Sequence, residues 1–164
     1  MRCGIRGTFV GLLGLLVAGA ASGESVQVAP RAPFAEGSRA TAAVKEQCGL
    51  ETKVPALVAE ASSLAALAEG ETGSEARVLS LRITEVQAPG GGMFSGPKWL
   101  EVSGTLREGG RDVASFRAKR LTTGGPFGGG GTCGMLGKCA QAIAGDVALW
   151  LESPTPGAEL GDAR

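Results

Sequence analysis

The chain contains no histidine and no tyrosine. Without an imidazole there is no histidine-based catalytic triad, none of the usual zinc sites and no haem attachment motif. An excess of charge of either sign is missing too. Lys+Arg 16 balance Asp+Glu 16, so there is no bulk attraction to nucleic acid or anionic lipid, and no nucleic-acid partner is expected. Glycine is plentiful, at 28 of 164 residues, and that length suits one domain.

Residues 1–23 read as a secretory signal peptide. Arg2 and Arg6 supply the positive start, Gly7 to Val17 a short apolar core, and Ala18-Gly-Ala-Ala-Ser22 an A-x-A-like cleavage site. The core is short and glycine-rich for a bilayer span, and no later segment approaches spanning length. No stable membrane span is therefore expected after cleavage; retention of the segment as an anchor is the alternative. The exported chain, periplasmic or secreted, begins near Glu24. It carries 14 basic against 16 acidic side chains, because Arg2 and Arg6 leave with the signal. Cys48, Cys133 and Cys139 remain, in a compartment where a pair of them can close a disulfide.

Residues 24–152 form the expected single domain. Residues 153–164, with two prolines, two glycines and little to bury, read as a disordered tail. Residues 25–29 alternate and stop at Pro30, as a short strand does. Residues 38–47 predict a helix ending at Cys48-Gly49, and Pro55 suits the first turn of a second helix running toward Leu67. Three strand-like runs follow, over 77–88, 98–107 and 112–121. Each has one apolar side: Leu79, Leu81 and Ile83; Leu100, Val102 and Leu106; Ala114, Phe116 and Ala118. Glu108-Gly-Gly-Arg111 is a hairpin connection between the last two. Residues 135–151 repeat apolar side chains at helical spacing, from Leu136 through Ala140, Ile143 and Val147 to Leu151. Amphipathic helices and a one-sided sheet bury each other, so the expected fold is α/β (α+β), a two-layer sandwich with a mainly antiparallel sheet and helices on one face.

Chemistry-bearing motifs are scarce. Gly91-Gly-Met-Phe-Ser-Gly96-Pro97-Lys98 opens like a P-loop, but Pro97 stands where the lysine should follow the second glycine and offers no N–H to a phosphate. Gly129-x-Gly131-x-x-Gly134 matches the dinucleotide fingerprint in form, yet the sequence predicts no returning parallel strand after its helix and no acidic ribose contact. These glycines read as flexible connectors, and no cofactor or metal is expected. Asp146 and Glu152 fall on opposite sides of the last helix, and Ser62-Ser63-Leu-Ala-Ala66 has no lysine at S-x-x-K spacing. Both carboxylates read as solvated surface, and no enzyme is indicated.

The cysteines are not spaced C-x-x-C. Six residues of helix would hold Cys133 and Cys139 about 9 Å apart, beyond the roughly 7 Å reach of a disulfide. Cys48 and Cys133 each sit at a helix end, where the backbone can adjust. That pairing is favoured and closes a loop of about 85 residues, worth about 4–5 kcal/mol in the chain-entropy account. Cys133–Cys139, Cys48–Cys139 and no bond at all remain open. Cys139, on the edge of the apolar stripe, serves as a small hydrophobe or, in the alternative functional reading, as the thiol of a redox protein or unfamiliar enzyme.

The polar side of the strands carries Arg82, Arg107, Arg117 and Lys119 against Glu101, an excess of three positive charges in a near-neutral chain. These four are candidate contacts for an acidic or carbohydrate partner, beside the plainer reading of a hydrated sheet surface. Met93 and Phe94, at a glycine-loop tip, are a second candidate contact point.

The order of these elements carries a resemblance. The run 78–88, the loop 90–98, Trp99-Leu-Glu-Val-Ser-Gly-Thr-Leu106, Ala114-Ser-Phe-Arg117, Gly124-Gly125 and the final helix to Trp150-Leu151 resemble a family of uncharacterised bacterial cell-envelope proteins. That family is similar to CsgG/LpoB-like and TolB-amino-terminal α/β domains. The resemblance implies a non-enzymatic partner in secretion, cell-wall synthesis or envelope integrity. This sequence departs from the lipoprotein members by having no lipid-attachment cysteine after the signal core. The resulting expectation is an exported binding or assembly module that meets an envelope protein or cell-wall polymer through the sheet face or the glycine-rich loops. A purely structural surface or stress protein is the third reading.

Overall fold

The computed structural model describes residues 25–70, 73, 76–89, 96–122 and 131–163. Met93, Phe94, the 1–23 segment read as a signal peptide and most of both glycine-rich loops lie outside the described residues. In chain order the elements are β1 (Val26–Val28), α1 (Ala42–Gln47), α2 (Leu50–Ala61), β2 (Ala65–Leu67), β3 (Val78–Gln87), β4 (Lys98–Glu108), β5 (Arg111–Thr122), α3 (Gly131–Glu152) and β6 (Ala158–Gly161).

Period-two alternation builds the middle of the sheet. Leu79, Leu81, Ile83, Leu100, Val102, Leu106, Ala114, Phe116 and Ala118 are all buried on one side. β3, β4 and β5 pair antiparallel. Gly109 and Gly110, both at positive φ, close the β4–β5 hairpin in the backbone form that matches strand twist. Gly104 sits among the buried positions because no larger residue fits: a Cβ there would stand 2.3 Å from the Phe116 ring. That ring in turn meets Trp150 of α3 edge-on, with centroids 4.9 Å apart.

The helices cover this apolar side, and their buried residues join the strands in one core. α3 supplies Leu136, Ala140, Ile143, Val147 and Leu151, the stripe expected from the sequence. A disulfide joins Cys48, at the end of α1, to Cys133 in the first turn of α3, with Cα atoms 4.9 Å apart. The fold is therefore an α+β sandwich, as the patterning implied.

The long antiparallel ladders of β3–β4 and β4–β5 make up most of the sheet, whose six strands run in the order β2-β1-β3-β4-β5-β6, with short parallel pairings of β1, β2 and β6 outside them. Three expectations need correction. The second helix begins at Leu50, directly after Gly49 in the left-handed region, so Pro55 falls inside it. Proline has no N–H to offer the Glu51 carbonyl. That carbonyl instead accepts the Ala32 N–H at 2.8 Å, which lets the helix continue through Pro55 to Ala61. The chain beyond is β2 and not helix, because Ser62 turns extended and the Leu64 carbonyl accepts the Val26 N–H at 2.8 Å.

The third correction is the tail. Residues 158–161 form β6 against β5. Its composition gives no driving force for order, and side chains elsewhere supply it. Asp162 accepts the Leu121 N–H at 2.9 Å, the Ser115 hydroxyl accepts the Gly157 N–H at 3.0 Å, and the Trp150 indole donates to the Thr155 carbonyl at 3.2 Å. Gly161 comes so close to the Lys119 carbonyl that a Cβ would lie 2.6 Å from it.

Candidate functional site

With the helices on one side, the alternate residues of β3, β4 and β5 form an open face. Register sets it out in rows. Arg107 pairs with Asp112 and lies beside Val78; Thr105 lies between Ser80 and Ser115; Ser103 lies between Arg82 and Arg117; Glu101 lies between Glu85 and Lys119; Trp99 lies between Gln87 and Leu121. The middle rows are therefore a belt of small hydroxyl side chains bracketed by guanidiniums, and the far row is apolar apart from Gln87.

All four cations singled out in the sequence lie on this face, but they are not equivalent. Arg117 donates to Glu159 at 2.7 Å and stands 4.0 Å from Glu101. Its hydrogen bond to Glu159, then the Glu101 charge, holds its pKa above the ordinary arginine value. Arg107 donates to Asp112 at 2.6 Å, which likewise raises its pKa. Both remain cationic at any physiological pH. Lys119 places its ammonium 4.9 Å above the Trp99 ring. Arg82 has no carboxylate within ion-pair distance among the described residues. The apparent excess of three positive charges is thus largely neutralised, by Asp112 and by Glu159, which arrives on β6.

Arg82 and Arg107 line a cleft of about 450 Å³ together with Arg31, Ser80, Ser103 and Thr105. Arg31, absent from the sequence reading, reaches it from the turn after β1 while also contacting Glu51 of α2 at 3.1 Å. Nothing local in the sequence marks Arg31, because a single arginine so close to two prolines carries no strand or helix pattern. Arg117 and Lys119 lie outside the cleft lining, toward β6 and the apolar row.

Two further groups differ from their sequence reading. Asp146 is not solvated surface: both its oxygens accept from Arg120, at 2.7 and 2.5 Å, and Asp162 lies 3.6 Å from the same guanidinium. Arg120 thereby ties α3, β5 and the residue after β6 together. Cys139 is buried, and burial pushes its thiol pKa up. A raised pKa and a covered sulfur are the reverse of what a reactive thiol needs. Lys98, at the end of the P-loop-like run, is buried and donates to the Pro89 carbonyl at 3.2 Å. Among the described residues no group of three His, Cys, Asp or Glu is placed to hold a metal ion, and no helix is long and apolar enough to cross a membrane.

No protein-family model matches the chain, and no curated protein does. Solved structures do resemble it. A crystal structure described only as an uncharacterized protein is 13% identical with a TM-score of 0.50, over 79% of this chain and 92% of that one. The PelC dodecamer from Paraburkholderia phytofirmans is 14% identical with a TM-score of 0.48, over 75% of this chain and 87% of that one. A point variant of the same dodecamer is 16% identical with a TM-score of 0.46, over 75% and 85%. At such identities the likeness to the uncharacterized protein is one of fold alone.

Proposed function

We propose that this chain is an exported, non-enzymatic binding or assembly module of the bacterial cell envelope, and that it meets a protein or polymer partner across the open face of its sheet. One observation carries the reading. The helices and the core occupy one side of β3, β4 and β5, while the other side presents hydroxyls, guanidiniums and Trp99. The Cys48–Cys133 bond is compatible with an oxidising compartment, and the leader-like start of the sequence supports export. The resemblance to envelope proteins points the same way.

Arg82 and Lys119 are the cations of the face without a carboxylate partner among the described residues, so changing them leaves the ion pairs of Arg107 and Arg117 in place. The test is Arg82→Glu combined with Lys119→Gln, with material cross-linked and co-purified from the native envelope. The double variant is expected to melt like the wild type and to lose its co-purifying partner. An unchanged partner set would sink the assignment of function to this face.

A further inference from the structure

The cleft on the open face has a composition that narrows its ligand. Of its three arginines, Arg31 shares its guanidinium with Glu51 and Arg107 shares its own with Asp112. Arg82 shares with no carboxylate among the described residues. Beside it, the hydroxyls of Ser80, Ser103 and Thr105 make no side-chain hydrogen bond within the described residues. Each hydroxyl offers one donor and two acceptor positions. The cleft thus sets one uncommitted planar cation, two partly committed ones and three free hydroxyls around a space within the range of small-molecule sites.

That set fits a ligand rich in hydroxyls that also carries a planar anion. Guanidinium groups match carboxylates two bonds at a time. An extended peptide fits less well. It would seek a free strand edge for its backbone or apolar pockets for its side chains, and β3 and β4 have neighbours on both edges. The larger exposed apolar side chains, Leu64, Leu67, Leu121 and Leu149, line other parts of the surface. A long polymer would also find a second cation along the row. Arg82 and Arg117 flank Ser103 across two strand spacings, roughly 10 Å apart.

We propose that the cleft lined by Arg31, Arg82 and Arg107 binds a carboxylated saccharide, with Arg82 taking the carboxylate and Ser80, Ser103 and Thr105 the ring hydroxyls. This rests on the reading of the open face as the binding surface and names the chemistry of its partner. Neutral glycans satisfy the hydroxyls and leave Arg82 unpaired, so they bind weakly. Polyanions without the sugar hydroxyls satisfy Arg82 only, and their binding collapses with salt.

The experiment is affinity electrophoresis of the exported, disulfide-bonded chain through gels containing polygalacturonate, neutral dextran or polyacrylate, at rising salt. The wild type is expected to be retarded by polygalacturonate and not by dextran. Arg82→Gln should weaken retardation about tenfold, and Ser103→Ala with Thr105→Val should weaken it several-fold, both without a change in melting temperature. Retardation by polyacrylate equal to that by polygalacturonate, and insensitive to the hydroxyl variants, would overturn the saccharide assignment. So would equal retardation of Arg82→Gln and wild type, or none of either. If polygalacturonate fails while Arg82→Glu with Lys119→Gln still loses its native partner, the saccharide falls and the face reading stands. If that variant keeps its partner as well, both fall.

Discussion

On β5, Phe116 points into the helix layer, where its ring lies over Gly104 and meets Trp150 edge-on. Its neighbour Arg117 points the other way, half exposed, between Glu101 and Glu159. One residue step therefore separates a position that packing fixes from a position that charge partners fix. The covered side is close-packed, so any lost volume is felt at once. The open side is wetted, so a lost hydroxyl is replaced by water at little cost. Packing thus sets stability on one face of these strands far more than on the other.

The sharpest way to break that division is to mutate across it. Phe116→Ala removes the ring between Gly104 and Trp150 and leaves a void that its partner position on β4 cannot fill, because Gly104 has no side chain. The expected loss is about 3–5 kcal/mol. Ser103→Ala, on the open side of the adjacent strand, is expected to stay within about 0.5 kcal/mol. Urea unfolding of the pair measures both. Equal losses would erase the distinction between the faces.

Asp146 tests an ion pair on the covered side. Asp146→Ala leaves Arg120, one-third exposed, with only Asp162 at 3.6 Å. A loss of about 1–3 kcal/mol is expected. The damage should spread to β6, since Asp162 also accepts the Leu121 N–H. Hydrogen exchange should therefore speed up at Leu121 and Asp162 while β3 stays protected. Uniform protection after the change would show that β6 holds without the clasp.

How far the sequence discloses all this follows the same division. β3, β4 and β5 are legible because one-sided burial writes itself as alternation, and α3 because its stripe repeats at helical spacing. The Cys48–Cys133 pairing emerges from the helix ends, although spacing alone leaves other pairings open. β6 is illegible. Ala158, Glu159, Leu160 and Gly161 show no pattern of their own, and their order comes from Arg117 and Ser115, each 42 residues from its partner near β6. The continuation of α2 through Pro55 is hidden for a similar reason: the acceptor that proline leaves free is used by Ala32, which is distant in sequence. Of the open face, the cations were readable one by one. Their carboxylate partners were not, because Glu159 arrives on an element that composition alone does not reveal.

The smallest effect concerns Cys139, the buried thiol on the covered side of α3. An unfolded chain loses this proton near the free-thiol value of about 8.5. The folded chain holds it to higher pH, because burial disfavours the thiolate. Between those two values the folded state binds more protons than the unfolded one. Stability is thus complete below the free-thiol value and is lost as pH rises through the raised folded value. Melting temperatures from pH 7 to 10 should therefore fall more steeply for the wild type than for Cys139→Ala, while the open-face variant Arg82→Gln should track the wild type throughout. Parallel curves for wild type and Cys139→Ala, or rapid alkylation of Cys139 in the native protein, would place this thiol in contact with solvent and remove it from the covered side of the comparison.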